Sequence, residues 1–196
     1  DRKDNPSARW KNMMMIALGQ SKMVKRPIAG FLHIIVYVGF IIINLEVLEI
    51  IIDGLLGTHR VFAFLGGFYN FLIGSFEILA FLVLVAVIVF WLRRNVIKLQ
   101  RFWKPEMKGF PKNDANYILY FEVVLMTLFL TMNAADFHLQ YVPGGFSHYH
   151  QEGSYPIYQL IAPIFDGMDN SVVFMNEITA WWLHIVGILV FLKYLT

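Results

Sequence analysis

Histidines and carboxylates carry the chemistry available to this chain, and the most telling of them sit in apolar surroundings. His33 and His184 lie within the runs "PIAGFLHIIVYVGFIIINLEVLEIII" and "TAWWLHIVGILVFLKYLT". An ionisable group in such a run is costly, so it marks either a functional site or a hydrogen bond to a neighbouring helix. A neutral imidazole offers a lone pair to a metal or a proton. His59, in "GTHR", and His138 stand just beyond or at the ends of apolar runs. His148 and His150, in "FSHYHQ", read as surface residues, and their spacing is only a weak metal pattern. Among the acids, Glu46, Glu49 and Asp53 cluster at the end of the first run. Glu77 lies deep in the second, Glu122 lies in the third, and Asp136 precedes His138 by two residues. Carboxyl groups so placed suit proton transfer, and Glu46, Glu49, Glu77 and Asp136 are the candidates. The plainer reading of Glu46 and Glu49 is pairing with Asn, Tyr or Arg60 near a membrane surface. The chain has no cysteine, which excludes disulfides, thiolate-held clusters and a cysteine nucleophile within these residues.

These residues must be positioned by an apolar scaffold. The composition is 58% hydrophobic and only 15% charged, against about 25% charged in a soluble domain. Such a chain cannot coat a soluble globule of its size with polar groups. The expected class is an all-α integral membrane protein, a bundle of at least four transmembrane helices. Four runs reach the length of about 20 residues that crosses a hydrocarbon core; they cover roughly 27–52, 68–92, 115–137 and 176–196. Continuous rather than alternating hydrophobicity favours helices over barrel strands. Pro27 suits the first turn of a helix, and Asp53-Gly54 is the expected end of that helix. The stretch 1–26 is basic, and its "WKNMMMIAL" piece is too short to span and suits the interface. The polar opening and unfinished apolar end suggest a fragment of a longer chain.

Alternating helices place 1–26, 93–114 and the end of the fourth helix on one side, here side A. The loops 54–67 and 138–176 fall on side B. Of the 16 lysines and arginines, fifteen are on side A and only Arg60 is on side B. The positive-inside rule makes side A cytoplasmic. A net charge of +2 points to no polyanion, hence to no nucleic-acid partner.

Depth constrains the two embedded histidines. At about 1.5 Å of rise per residue, His33 lies one or two turns in from side A and His184 about two turns in from side B. Their separation along the membrane normal is then roughly 15 Å, too far for one iron. As ligands they would serve two centres at opposite faces, the arrangement of a transmembrane electron wire with two b haems. His138 and His59 are the alternatives for a partner to His184, His138 being better constrained. Gly30 and Gly187, three residues from His33 and His184, would let a flat macrocycle approach the backbone. Phe31, Trp181 and Trp182 could line a ring edge, although tryptophan there also suits the interfacial belt.

At "AGFLHIIVYVGFIIINLEVLEI" and "WWLHIVGILVFLKYL" the sequence resembles the membrane domain of membrane-bound iron–sulfur oxidoreductases. This domain is similar to the gamma, cytochrome b, subunit of respiratory nitrate reductase and to the membrane subunit of heterodisulfide reductase. The spacing from His33 to Gly39-Phe40 and the Trp-Trp-Leu-His opening of the last helix carry the likeness. "ALGQSKMVKRP" and "IDGLLGTHRVF" resemble a branch common in Bacteroidetes. The resemblance implies a multi-pass protein of the bacterial inner membrane that binds haem b and exchanges electrons with quinone. It also implies a cytoplasmic iron–sulfur domain or subunit and a second histidine farther along the last helix. His33 and His184 match haem ligands. One departure is that the nitrate reductase subunit carries two histidines ten residues apart on the first of these helices, whereas Ile43 stands ten after His33 here. The expectation is therefore a membrane domain with one or two b haems, working between quinone and an iron–sulfur module, in contact with lipid and possible neighbours of a larger complex. The rivals are an ion- or proton-translocating subunit and a cofactor-free structural subunit.

Overall fold

A computed structural model describes residues 4–19, 26–105, 109–142, 149, 151 and 153–195. His148 and His150 lie outside the described residues. Among the described residues six α-helices follow one another: α1 (Pro6–Met13), α2 (Pro27–Leu56), α3 (Gly67–Asn95), α4 (Phe110–Tyr141), α5 (Tyr158–Ile161) and α6 (Asn170–Leu195). Four of them, α2, α3, α4 and α6, are long and apolar enough to cross a membrane. No strand occurs among the described residues. α1 continues into a π-helical turn at Met14–Leu18 and buries none of its residues.

The spanning helices run longer than the hydropathy predicts. Pro27 does occupy the first turn of α2, but Asp53-Gly54 does not end it. The helix continues to Leu56 and closes on Gly57, whose φ of +67° suits the left-handed cap. Asp53 instead organises the loop beyond. Its carboxylate accepts bonds from Thr58 Oγ1 at 2.6 Å, Arg60 N at 2.8 Å and Val61 N at 3.1 Å. α6 begins at Asn170 rather than 176, because polarity at Asn176 and Glu177 does not break a helix that already has neighbours to pack on.

α2 packs on α3, α3 on α4, and α4 on α6. The core between them is built from Ile43, Ile73, Phe76, Val83, Leu125 and Phe129. Outward-facing Leu48, Leu55, Phe71 and Leu189 stay exposed, as lipid-facing residues do. On side A, Arg94 donates to Lys112 O at 3.1 Å, and Asn95 and Asn116 exchange side-chain bonds at 3.2 Å. These bonds tie α3 to α4, and Tyr194 ties α6 to α4 through Asp114 at 2.6 Å. α2 and α6 are the outer members of the row. Two cavities lie between them, one toward side B and one deeper in the bundle.

Candidate functional site

The side B cavity is organised by one cation. Arg60 sits in the turn after α2 with φ of +56°, a conformation disfavoured for a non-glycine residue. That turn folds its side chain back into the bundle. Its guanidinium donates to Glu46 Oε1 at 3.1 Å, to Asn133 Oδ1 at 2.9 Å and to Tyr155 OH at 3.0 Å. Two further bonds reach Asp136 Oδ2, at 2.9 Å from Nε and 2.5 Å from Nη2. Glu46, Asn133 and Asp136 are all buried. Burial opposes the arginine charge, but the Asp136 and Glu46 carboxylates outweigh it and hold its pKa well above the ordinary value. Burial in turn pushes the Tyr155 phenol upward, so it remains a neutral donor and acceptor. Glu49 pairs with Arg60 Nη1 at 3.7 Å and also accepts from Phe62 N and from Tyr69 OH, each at 2.9 Å.

Beside this network lies a cavity of about 360 Å³. Its polar wall includes His59, Arg60, Asp136, Tyr149 and Glu177; its apolar wall includes Ile178, Trp181 and Trp182. His59 Nε2 lies 3.1 Å from Asp136 Oδ1, and Gln140 donates to the same oxygen at 3.2 Å. Tyr149 donates its hydroxyl to Glu177. Burial and the neighbouring Glu177 push the Tyr149 pKa upward, which keeps that hydroxyl protonated. Donor atoms of His59, Asp136 and Glu177 lie within 4.8 Å of one another. One imidazole and two carboxylates could ligate a divalent ion, but the guanidinium 2.5 Å from Asp136 opposes a second cation there. The size and the mixture of flat apolar and few convergent polar groups suit an organic ligand.

The deeper cavity, about 100 Å³, is almost wholly apolar. Val36, Phe40 and Ile43 face it from α2, Leu125 from α4, and His184 and Ile188 from α6. His184 is 1% exposed. Its Nδ1 lies 3.0 Å from the carbonyl oxygen of Leu125. A carbonyl only accepts, so Nδ1 carries the proton and Nε2 carries the lone pair. Nε2 is buried with no hydrogen-bond partner. A backbone carbonyl that fixes the ring and leaves the other nitrogen bare is the usual support of a metal-ligating histidine. His184 thus has the arrangement of a ligating imidazole, facing a cavity of about 100 Å³. Glu122 lines the same cavity from α4.

The other predicted residues fall as follows. The earlier start of α6 sinks His184 to mid-bundle, beside Leu125 near the centre of α4. His138 is thirteen residues farther along α4, about 20 Å away, with Nδ1 3.4 Å from Tyr158 OH. His59 is bound to Asp136, eleven residues beyond Leu125, about 16 Å away. The structure therefore brings neither expected partner to His184, because two imidazoles on one iron must share a depth. Ile43, in the same cavity, occupies the position where the resemblance has its second histidine. His33 is half-buried on α2, ten residues from Ile43 and about 15 Å nearer side A. Gly187 meets Leu125: an added Cβ would stand 2.8 Å from its Cδ2. Gly30 is buried in the first turn of α2, where its N–H bonds Arg26 O at 2.6 Å. Glu77 accepts from Ile157 N at 2.7 Å and so holds the loop before α5. Asp136, Glu49 and Asp53 all line the side B cavity, and Asp136 is the one that takes two guanidinium bonds from Arg60. Glu46 is covered beneath Arg60. The plainer reading of Glu46 and Glu49 named Asn, Tyr or Arg60 as partners, and the structure places Arg60 and Asn133 on Glu46 and Tyr69 on Glu49, but sequence reasoning did not single out Asn133, Tyr149 or Tyr155. The one available signal was that Arg60 is the lone basic residue of side B amid several acids.

With this geometry in place, comparison with known proteins gives two distant relatives. Over 195 residues the chain is 29% identical to the probable iron-sulfur-binding oxidoreductase FadF of Bacillus subtilis (strain 168), covering 98% of this chain and 24% of that protein. Over 190 residues it is 24% identical to the EtfAB:quinone oxidoreductase of Syntrophomonas wolfei, covering 93% of this chain and 25% of that protein. The chain spans about a quarter of the length of these relatives. Both relatives bear oxidoreductase names, consistent with an iron–sulfur oxidoreductase family and an electron-transfer role. No family model matches, and no solved structure matches.

Proposed function

We propose that this chain is the membrane part of an oxidoreductase, carrying electrons between quinone in the bilayer and an iron–sulfur module on side A, the cytoplasmic face of the bacterial inner membrane. The observation that carries this reading is the His184 imidazole, held through Nδ1 by Leu125 O with Nε2 bare in an apolar cavity. His184 would hold a b haem through Nε2. His33, nearer side A, marks a second centre along the same path. A bound haem supplies reversible one-electron chemistry, and the protein supplies ligand, field and orientation. The side B cavity takes the quinone head group. Trp181, Trp182 and Ile178 offer the ring an apolar surface, and His59 and Asp136 face its oxygens. The resemblance at His33 and His184 and the quinone named for one relative support this assignment. The basic stretch 1–26 lies along the cytoplasmic surface, and 27–196 is the haem-binding domain.

A reduced-minus-oxidised visible spectrum of the purified full-length protein tests the reading. The expected result is the α band of b haem, lost at one centre in His184→Ala. A featureless spectrum rejects the haem and leaves an ion-translocating or structural subunit. Bands unchanged in His184→Ala reject the ligand assignment.

A further inference from the structure

Five acids approach the side B cavity or its network, yet their surroundings are unequal. Glu46 is covered beneath Arg60. Both oxygens of Glu49 accept bonds from Phe62 and Tyr69. Asp53 serves three donors of the following loop. Glu177 accepts from Tyr149. Asp136 is gripped by Arg60 and Gln140, which leaves its carboxylate unable to turn toward a ligand. His59 differs from all of these. Its Nε2 is bound to Asp136, it lines the cavity, and no protein group among the described residues is bonded to Nδ1. Its side chain is 21% exposed, against 3% for Asp136. The imidazole therefore bridges a fixed buried carboxylate and the cavity, with one nitrogen still open.

We infer that His59 is the catalytic acid–base of the quinone reaction, with Asp136 as the positioning residue that orients it and Arg60 as the anchor of Asp136. This rests on the reading of the side B cavity as a quinone site. In quinol oxidation an O–H bond breaks, the proton passes to Nδ1 of His59, and the electron leaves to a one-electron acceptor of the iron–sulfur type. The imidazolium formed is stabilised by the Asp136 carboxylate on Nε2. His59 returns its proton to water, and the second O–H follows the same course. The products are one quinone, two protons and two electrons; quinone reduction is the reverse. The charged and titratable groups around His59 are Asp136 on α4, Glu177 on α6, Glu49 and Asp53 on α2, Tyr149 and its neighbour Arg60. The orientation follows general acid–base logic: an open nitrogen toward the substrate, the other tied to a carboxylate.

The test uses the full-length protein in detergent, with menadione as the quinone and reduced benzyl viologen as donor. Quenching of tryptophan fluorescence reads menadione binding, and ultraviolet absorbance reads its reduction. His59→Gln should bind menadione within a few fold of wild type while turnover falls on the order of 100-fold. Added imidazole should restore part of the turnover of His59→Ala. Asp136→Asn should displace the pH profile of turnover more than it alters binding. Turnover of His59→Gln within about twofold of wild type overturns the inference and leaves the quinone reading standing. So does a His59→Ala protein that loses menadione binding and gains nothing from imidazole, since that is a structural role. Wild-type protein that neither binds nor reduces menadione overturns the quinone reading itself.

Discussion

The two halves of the gap between α2 and α6 solve opposite problems. Toward side B, charged groups are buried and nearly every one of them is answered: Arg60 alone engages Glu46, Asn133, Asp136 and Tyr155. In the deeper half the lining is mostly hydrocarbon, with Asn44, Glu122 and His184 as its polar side chains, and one nitrogen of the buried His184 has no hydrogen-bond partner. An unmet hydrogen bond in an apolar setting costs about 1–3 kcal/mol. Glu46 Oε2 is likewise without a hydrogen-bond partner but lies covered beneath Arg60, whereas His184 Nε2 borders a cavity. On the proposed function the side B half handles protons and the deeper half receives a redox group.

The largest expected effect comes from breaking the side B half. Replacing Arg60 with Leu leaves Asp136 and Glu46 buried without their counter-charge. Removing one partner of a buried ion pair costs roughly 3–5 kcal/mol. Thermal unfolding of the purified protein, followed by helical circular dichroism, should show a large loss of stability in Arg60→Leu. His184→Ala should unfold close to wild type by the same measure while losing a haem band. Equal stability losses in the two variants would erase the contrast between the halves.

That contrast explains what the sequence could disclose. Hydropathy is a property of each segment, so four spanning helices and their alternation were legible from the runs alone. The positive-inside count likewise isolated Arg60 on side B. Helix ends were less legible, because Asp53 and Gly54 look like a stop while Asp53 in fact caps the loop and Gly54 fits against Trp181, 2.7 Å from where a Cβ would stand. The start of α6 was misjudged by six residues, and with it the depth of His184. That error is what made His138 and His59 look like its partners. The side B network was legible only in part: pairing of Glu46 and Glu49 with Asn, Tyr or Arg60 was the plainer reading, and the structure places Arg60 and Asn133 on Glu46 and Tyr69 on Glu49, whereas the bonds of Arg60 to Asn133, Asp136 and Tyr155 span 73 to 95 positions of the chain. Such pairings belong to the tertiary fold, not to any local pattern.

A middle-sized effect sharpens the boundary of the side B half. Glu77 is fully buried and binds the N–H of Ile157, so it fastens the loop whose Tyr155 completes the Arg60 shell. Glu77→Ala strands that amide, at a cost of about 1–3 kcal/mol. Hydrogen exchange should then quicken at Ile157 and its neighbours before anywhere in α4. Glu77→Gln keeps an acceptor oxygen and should hold protection near the wild-type level. If Glu77→Gln instead lowers quinone turnover with loop protection intact, Glu77 carries protons after all, and the proton-handling surface extends deeper than the cavity wall.

The smallest effect discriminates most finely, because it tests whether the deeper half is shaped for a macrocycle or only for its neighbours. Gly187 lies three residues beyond His184, so it is within a turn of the ligand. Had it cradled a flat ring, an alanine methyl there would push the ring away from the helix. In the structure the methyl would meet Leu125 Cδ2 at 2.8 Å, the far end of a flexible side chain on α4. Leucine can rotate away, so Gly187→Ala should cost no more than about 1 kcal/mol, the lower edge of overpacking penalties. Yet Leu125 is also the residue whose carbonyl holds His184 Nδ1. Moving its side chain without moving its backbone should leave the haem band in place and unshifted. A Gly187→Ala protein of normal stability with a weakened or displaced band would put the macrocycle on the glycine face of α6, on the α4 side of His184 and not in the gap toward α2.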